Sequence, residues 1–172
     1  MTNAPEPLSG EPMSGTIGNP DETKATFWKE LAKNPTVMIA LHGSNAHAEP
    51  MTCVLDEDAN SHFWFYTSTD NRIAAGGKAM AQFVAKGHDV FACIMGNLVP
   101  ETDPAIIDKY WSNPVESWYA EGRNDPKLLM LRFELDDAEI WIPDMSIKGI
   151  FKLMTGKTMK TGEMGDHAEV TL

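Results

Sequence analysis

The sequence predicts a β-barrel-centred α+β domain. Six or seven short β-type runs lie close together, mostly at antiparallel spacing, and helix-period segments gather only at the start, middle and end. At 172 residues with 42% hydrophobic content and five Trp, the chain is large enough to bury one full core without disulfides.

Residues 1–19 are rich in Pro, Gly, Ser and Thr and nearly free of large apolar side chains. Such a segment cannot offset its ordering entropy, so it is read as a flexible arm ahead of a 20–172 domain. Pro20-Asp21-Glu22-Thr23 starts a helix with acidic residues in its first turn, carrying Phe27, Trp28, Leu31 and Ala32 on one face and stopping near Asn34-Pro35. Thr36 to Leu41 reads as a strand buried on both faces. His47 to Leu55 and His62 to Thr67 read as the next two strands, joined by a polar turn. A short helix is expected from Asp70 to Gly76-Gly77. Strands Met80 to Ala85 and Val90 to Val99 follow, around a Gly87-His88-Asp89 turn. Asp103 to Ser112 has helical spacing in Ile106, Ile107, Tyr110 and Trp111, with Val115 to Ala120 continuing after a break at Pro114. Leu128 to Leu135 and Ala138 to Ile142 are the last expected strands. A helix over Met145 to Met154 and a loosely structured end close the reading.

Residues 50–72 carry the most chemistry. Two β-type runs flank a polar turn, and the second ends in Thr67, Ser68, Thr69, Asn71 and Arg72. Short hydroxyls, backbone N–H groups and a guanidinium at a strand end and helix start suit a phosphate or sulfate monoester. A strand followed by an Asp/Asn-capped helix with a surface Arg explains the same residues without a ligand. Residues 110–131 form a second block. Trp111 reads as a core anchor. Trp118 precedes the polar loop Glu121 to Asp125 and is placed to cover a flat ligand.

A net charge of −11 argues against nucleic acid or an anionic membrane as the main partner, while leaving room for a small anion in a local pocket. Cys53 and Cys93 sit in apolar runs and read as reduced, buried thiols. No basic-then-apolar start is present and no apolar run approaches about 18 residues, so the protein is read as soluble and cytoplasmic.

Other motifs fail on inspection. Asp56-x-Asp58-x-Asn60 begins like a calcium loop, but Ser61 replaces the sixth-position Gly and Thr67 the final Glu. Gly156-Lys157-Thr158 lacks the upstream Gly and strand of a P-loop. His42 and His47 would face opposite sides of one strand, so no metal site is expected. Ser44 is in no nucleophile elbow and Gly76-Gly77 in no dinucleotide fingerprint. No catalytic residue can be assigned.

The ordered blocks Pro50-Met51-Thr52, Phe63 to Ser68 with Asp70-Asn71-Arg72, Trp111, Trp118-Tyr119, and Gly122 to Pro126 leading into Leu128 to Leu131 resemble a known superfamily. It is the pyridoxamine 5′-phosphate oxidase-like superfamily of FMN-binding split barrels, in its bacterial general-stress-protein branch. Glu139-Ile140-Trp141 and Thr155-Gly156-Lys157 resemble that branch as well. The resemblance implies a homodimer of antiparallel split barrels with FMN in clefts at the subunit interface. By position, Met51 and Thr52 would lie along the isoalloxazine edge and Tyr66 and Thr67 beside the ribityl chain. Ser68 and Arg72 would hold the phosphate, and Trp118 would approach the ring from the partner chain. Two positions depart from the family pattern: Glu49 stands where a basic residue is usual, and Arg72 where Lys is common. Pyridoxamine phosphate oxidation itself is not expected, because enzymes of that activity end in a basic, His-containing segment and this chain ends Asp166 to Leu172.

The implied function is an FMN-dependent oxidoreductase with an unidentified acceptor. The alternatives are a flavin-binding or storage stress protein without turnover, and a flavin-free interaction module. Deleting residues 1–19 is expected to leave the melting temperature unchanged; a fall of more than about 4 °C would mean that the arm docks on the domain.

Overall fold

A computed structural model describes residues 16–17, 19–143 and 165–172. Residues 1–15, the expected helix from Met145 to Met154 and the Thr155-Gly156-Lys157 segment lie outside the described residues. Strand β1 is Thr16–Ile17. Helix α1 (Pro20–Lys33) starts as its sequence dictates: the Asn19 side chain accepts from the Asp21 N–H, Pro20 sits in the first turn, and Asp21 and Glu22 complement the helix dipole. Phe27 and Leu31, four residues apart, are fully buried. The Phe27 ring meets Phe83 edge to face at 5.9 Å, and Trp28 meets Phe63 at 6.3 Å. These contacts fix α1 against the sheet before the chain turns at Asn34-Pro35.

The strands are β2 (Thr36–Leu41), β3 (Glu49–Thr52), β4 (His62–Ser68), β5 (Gly77–Val84), β6 (Phe91–Pro100), β7 (Leu128–Pro143) and β8 (Gly165–Thr171). Their hydrogen-bonded order is β1-β8-β7-β6-β5-β2-β3, with β4 also pairing β7. The long strand β7 is the hinge of this arrangement. It pairs with β6 along one edge, while its other edge serves β4 over residues 128–134 and β8 over 137–143. Strands β3 and β4 then meet at the single bridge Val54–Trp64. The antiparallel sheet curls round and stops one ladder short of closing: a split barrel with helices at its rim.

The interior follows the period of two. Val37, Ile39, Ala79, Ala81, Phe83, Ala92, Ile94, Leu131, Phe133 and Ile140 are buried, together with Phe63 and Phe65 from β4. Strand β2 corrects the sequence reading, because Val37, Ile39 and Leu41 face the core while Thr36 and Met38 are exposed. The segment after β4 is a second correction. Residues 69–75 form successive turns rather than a helix, with Asn71, Ala74 and Gly76 N–H groups bonding three residues back to Ser68, Asn71 and Ile73. Gly76 and Gly77, at φ 66° and 93°, re-aim the chain into β5 before a helix can propagate.

Two further differences lie near the end of the chain. The two expected strands over 128–142 are one strand, because Asp136 is absorbed as an extra residue where the β6–β7 register shifts between Met95 and Gly96. The end expected to be loose forms β8, which places Ala168 and Val170 in the core. Thr16 and Ile17 pair in parallel with Asp166 and His167.

Gly96 at the bulge faces Phe133, whose ring would stand 2.8 Å from an added Cβ, with the Glu134 carbonyl oxygen closer still. Gly96→Ala is therefore expected to cost about 3 kcal/mol, a fall in melting temperature of roughly 6–12 °C readable by calorimetry. An unchanged transition would show that β7 can give way at the bulge.

Candidate functional site

The split is local and its cause can be read in the backbone. Val54 and Trp64 exchange both N–H···O bonds, at 2.7 and 3.0 Å. In an antiparallel ladder the next exchanges would fall two and four residues on, between Thr52 and Tyr66 and then between Pro50 and Ser68. Neither pair is made. Pro50 has no N–H to give, and the Ser68 carbonyl accepts instead from Asn71 at 2.9 Å. Beyond the bridge, β3 and β4 part, and their facing backbone groups border the gap.

A cleft occupies that gap. It measures about 530 Å³ with open solvent at its mouth included, and is lined by Thr52, Val54, Tyr66, Pro114, Val115, Trp118 and Tyr119. Its far wall is the segment after β6. There α2 (Pro104–Tyr110) is capped by Asp103, and α3 (Asn113–Glu116) is a single short turn with Pro114 at its start. The helix break therefore falls at Trp111-Ser112 rather than at Pro114, as a Pro in a first turn favours.

Several interactions bolt this wall to the barrel. Tyr66 Oη donates to the Ile107 carbonyl at 2.5 Å, and Tyr119 Oη donates to the Thr67 carbonyl at 2.7 Å. Trp111 stands between them, 5.8 Å from Tyr66 and 5.7 Å from Tyr119. Lys109 Nζ holds Asp56 of the β3–β4 turn at 2.8 Å. At the entry to α2, the buried Glu101 carboxylate accepts from Trp64 Nε1 at 3.0 Å, from Arg132 Nη1 at 2.9 Å and from the Asp103 N–H at 3.1 Å. Burial pushes the Glu101 carboxyl up, but those donors outweigh it and hold it below the ordinary range.

Of the residues predicted for the site, Thr52, Tyr66 and Trp118 line the cleft together. Trp118 is 85% exposed at its mouth and belongs to the same chain as the rest of the lining. Met51 and Thr67 sit on alternate positions and turn inward, Met51 against the core and Thr67 buried. Ser68 follows Tyr66 on the cleft side, about 7 Å further along β4. Its hydroxyl is buried beside the Asp70 carboxyl and, with Lys127, holds that carboxyl below the ordinary range. Arg72 lies on the turn after β4, so no helix N-terminus assists it. Its Nη1 donates to the His47 carbonyl at 2.9 Å and its Nε stands 3.7 Å from Glu49 Oε2.

Val54, Pro114, Val115 and Tyr119 complete the lining and were not singled out from sequence as site residues. Only the Trp118-Tyr119 pair carried a local signal for them.

The lining has no carboxylate, imidazole or thiol. Burial pushes the Tyr66 and Tyr119 phenols up to about 12, so both remain neutral donors. Burial also raises the Cys53 thiol, which is no nucleophile at neutral pH. The arrangement suits holding a flat, mostly apolar molecule whose polar edge meets strand backbone; Met51, Thr67, Ser68 and Arg72 are not part of the lining.

Comparisons with known proteins agree with this geometry. The family described as pyridoxamine 5′-phosphate oxidase like matches residues 22–166. A general stress family protein of Xanthomonas campestris pv. campestris is 41% identical, with 76% of this chain and 94% of that one covered at a TM-score of 0.69. The general stress FMN/FAD binding protein of Xanthomonas citri is also 41% identical, covering 74% and 93% at 0.68. General stress protein 26 of Jannaschia sp. CCS1, 24% identical, shares the fold over 90% of this chain and 100% of that one, at 0.72. No curated protein matches the chain. From α1 to the start of β8, and with general stress proteins as its similar solved structures, the chain belongs to the pyridoxamine 5′-phosphate oxidase-like family.

Proposed function

We propose that this protein binds FMN in the seam cleft and works as a flavin-dependent oxidoreductase of the general-stress-protein type. The observation that carries the reading is the cleft: an apolar, aromatic-walled slot that opens where two strand edges lose their partners. The residues fit a flavin phosphate in three respects. Val54, Tyr66, Val115 and Trp118 offer flat apolar walls. The unladdered N–H and C=O groups of Thr52 and Tyr66 face the gap and suit the polar edge of the ring. The Ser68 hydroxyl and the Arg72 guanidinium lie beyond Tyr66, where a 5′-phosphate would end. The similarity to the X. citri flavin-binding protein supports the same ligand.

A bound flavin supplies the electron or hydride transfer. The chain's own residues orient the ring, keep water from its buried face and hold the tail. Trp118, exposed at the cleft mouth, would cover the ring. The competing reading is a flavin-binding protein without turnover, favoured by a lining with no carboxylate, imidazole or thiol.

The visible spectrum of the purified protein tests this, with FMN added if it is colourless. We expect a yellow protein that NAD(P)H bleaches anaerobically. A yellow protein that does not bleach favours storage, and one that ignores flavin removes the assignment. Arg72→Ala is expected to weaken FMN by about 1.5–3 kcal/mol and riboflavin far less, since only FMN offers a phosphate. Equal losses for both flavins would reduce Arg72 to a support of the turn.

We further propose a homodimer. The outer face of β2, β5, β6 and β7 carries cross-strand rows of apolar side chains: Ala40, Met80 and Met95 in one, Val84, Phe91 and Trp141 in another. Met38 and Val84 are 41% and 45% exposed in the single chain. A second copy of the chain would cover this face by two-fold contact. Sedimentation is expected to give about 38 kDa, twice the 19.0 kDa chain, and Val84→Glu to shift it towards monomer. A monomer at micromolar concentration for the unmodified protein would remove the dimer.

A further inference from the structure

Arg72, assigned above to a ligand phosphate, already faces an anion. Glu49 opens β3 on the inward register, paired with Ile39, and its Oε2 stands 3.7 Å from Arg72 Nε. The other oxygen, Oε1, is buried without a hydrogen-bond partner. Arg72 Nη1 is committed to the His47 carbonyl. The guanidinium is thus held from two sides by its own chain.

The cations around the cleft repeat the pattern. Lys109 faces Asp56 at 2.8 Å, Arg123 faces Asp108 at 2.6 Å, and Lys127 faces Asp70 at 2.9 Å. Each of these positive charges is matched by a carboxylate from another segment of the chain, in a protein of net charge −11. The rim of the cleft offers donors without offering a net positive field.

We propose that Glu49 is a specificity-determining residue, an internal anion that sets this cleft against the phosphate of its ligand, so that it takes dephosphorylated flavins nearly as well as FMN. The inference rests on the flavin reading above. A phosphate brought to Arg72 gains one cation and meets one carboxylate at similar range, and the two effects largely cancel in a half-exposed setting. Freeing Arg72 by swinging it away would leave the Glu49 carboxylate, 21% exposed, without its cation. A ligand hydroxyl escapes this conflict, because it carries no charge for the Glu49 carboxylate to repel. Ser68 serves either tail, since its hydroxyl both donates and accepts.

The test is a pair of titrations, FMN and riboflavin, followed by quenching of flavin fluorescence on the unmodified protein, Glu49→Gln and Glu49→Gln/Arg72→Gln. Glu49→Gln keeps the shape of the side chain and removes only its charge, and unchanged melting temperatures establish that the variants fold. The unmodified protein is expected to prefer FMN over riboflavin by less than about tenfold. Glu49→Gln is expected to tighten FMN about tenfold, the size of one like charge removed beside a partly screened phosphate, and to leave riboflavin within about twofold. The double variant is expected to lose that gain. A hundredfold preference for FMN in the unmodified protein, or an equal shift of both flavins in Glu49→Gln, would overturn the proposal while leaving flavin binding intact. Failure of both flavins to bind any of the proteins would instead remove the flavin reading, and this inference with it.

Discussion

The structure depends on one incomplete contact, the seam between β3 and β4. A closed ladder there would give a barrel filled by its own side chains, with no place for a ligand. Full separation would open the core to water. The Val54–Trp64 exchange holds the strands together at one point, and Pro50 lets them part just beyond it. The Trp64 indole is also fixed from outside by Glu101. Closure, opening and the mounting of the rim segment therefore meet within a few residues.

The second requirement is a far wall. Helices α2 and α3 are too short to stand alone, and neither buries a residue fully. Side chains from the barrel hold them: Tyr66 takes the Ile107 carbonyl, Arg132 shares Glu101 at the entry, and Asp56 receives Lys109. Tyr119 returns the contact to Thr67. The wall is a short segment pinned at both ends, and its aromatic side chains supply the cleft with most of its breadth.

Much of the fold was legible in the sequence, for local reasons. The aromatic run of β4, the β-type runs of β5 and β6 and the Pro20-Asp21-Glu22 helix start report themselves within a few residues. What escaped depends on distant partners. Asp136-Asp137 looks like a turn between two strands, yet β6 across from it carries Gly96, and the small residue lets a bulge absorb the extra position. The strand 165–171 shows a short alternation, Ala168, Glu169, Val170, that gains meaning only beside Ile140 and Ala138. The helix expected at 70–77 was argued from its caps, and the pair of positive-φ glycines outweighed them. Of the cleft lining, Thr52 and Tyr66 were named only by position through the family resemblance, and Trp118 also by its place beside a polar loop. Met51 and Thr67 were not separable from their neighbours, since strand parity decides which side chain meets the cleft. Glu49 stood out as an odd residue, but its contact with Arg72 exists only because the turn after β4 returns to the start of β3.

Pro50 has a consequence for the life of the protein in a crowded solution. The seam leaves β3 with a free flank, and a free flank invites strands from other molecules to add to it. An incoming strand would need a donor at position 50 to continue from Thr52 towards Glu49, and proline offers none. The covering aromatics of the rim segment stand over the same flank. The residue that opens the barrel thus also refuses the runaway pairing that an opened barrel would otherwise seed.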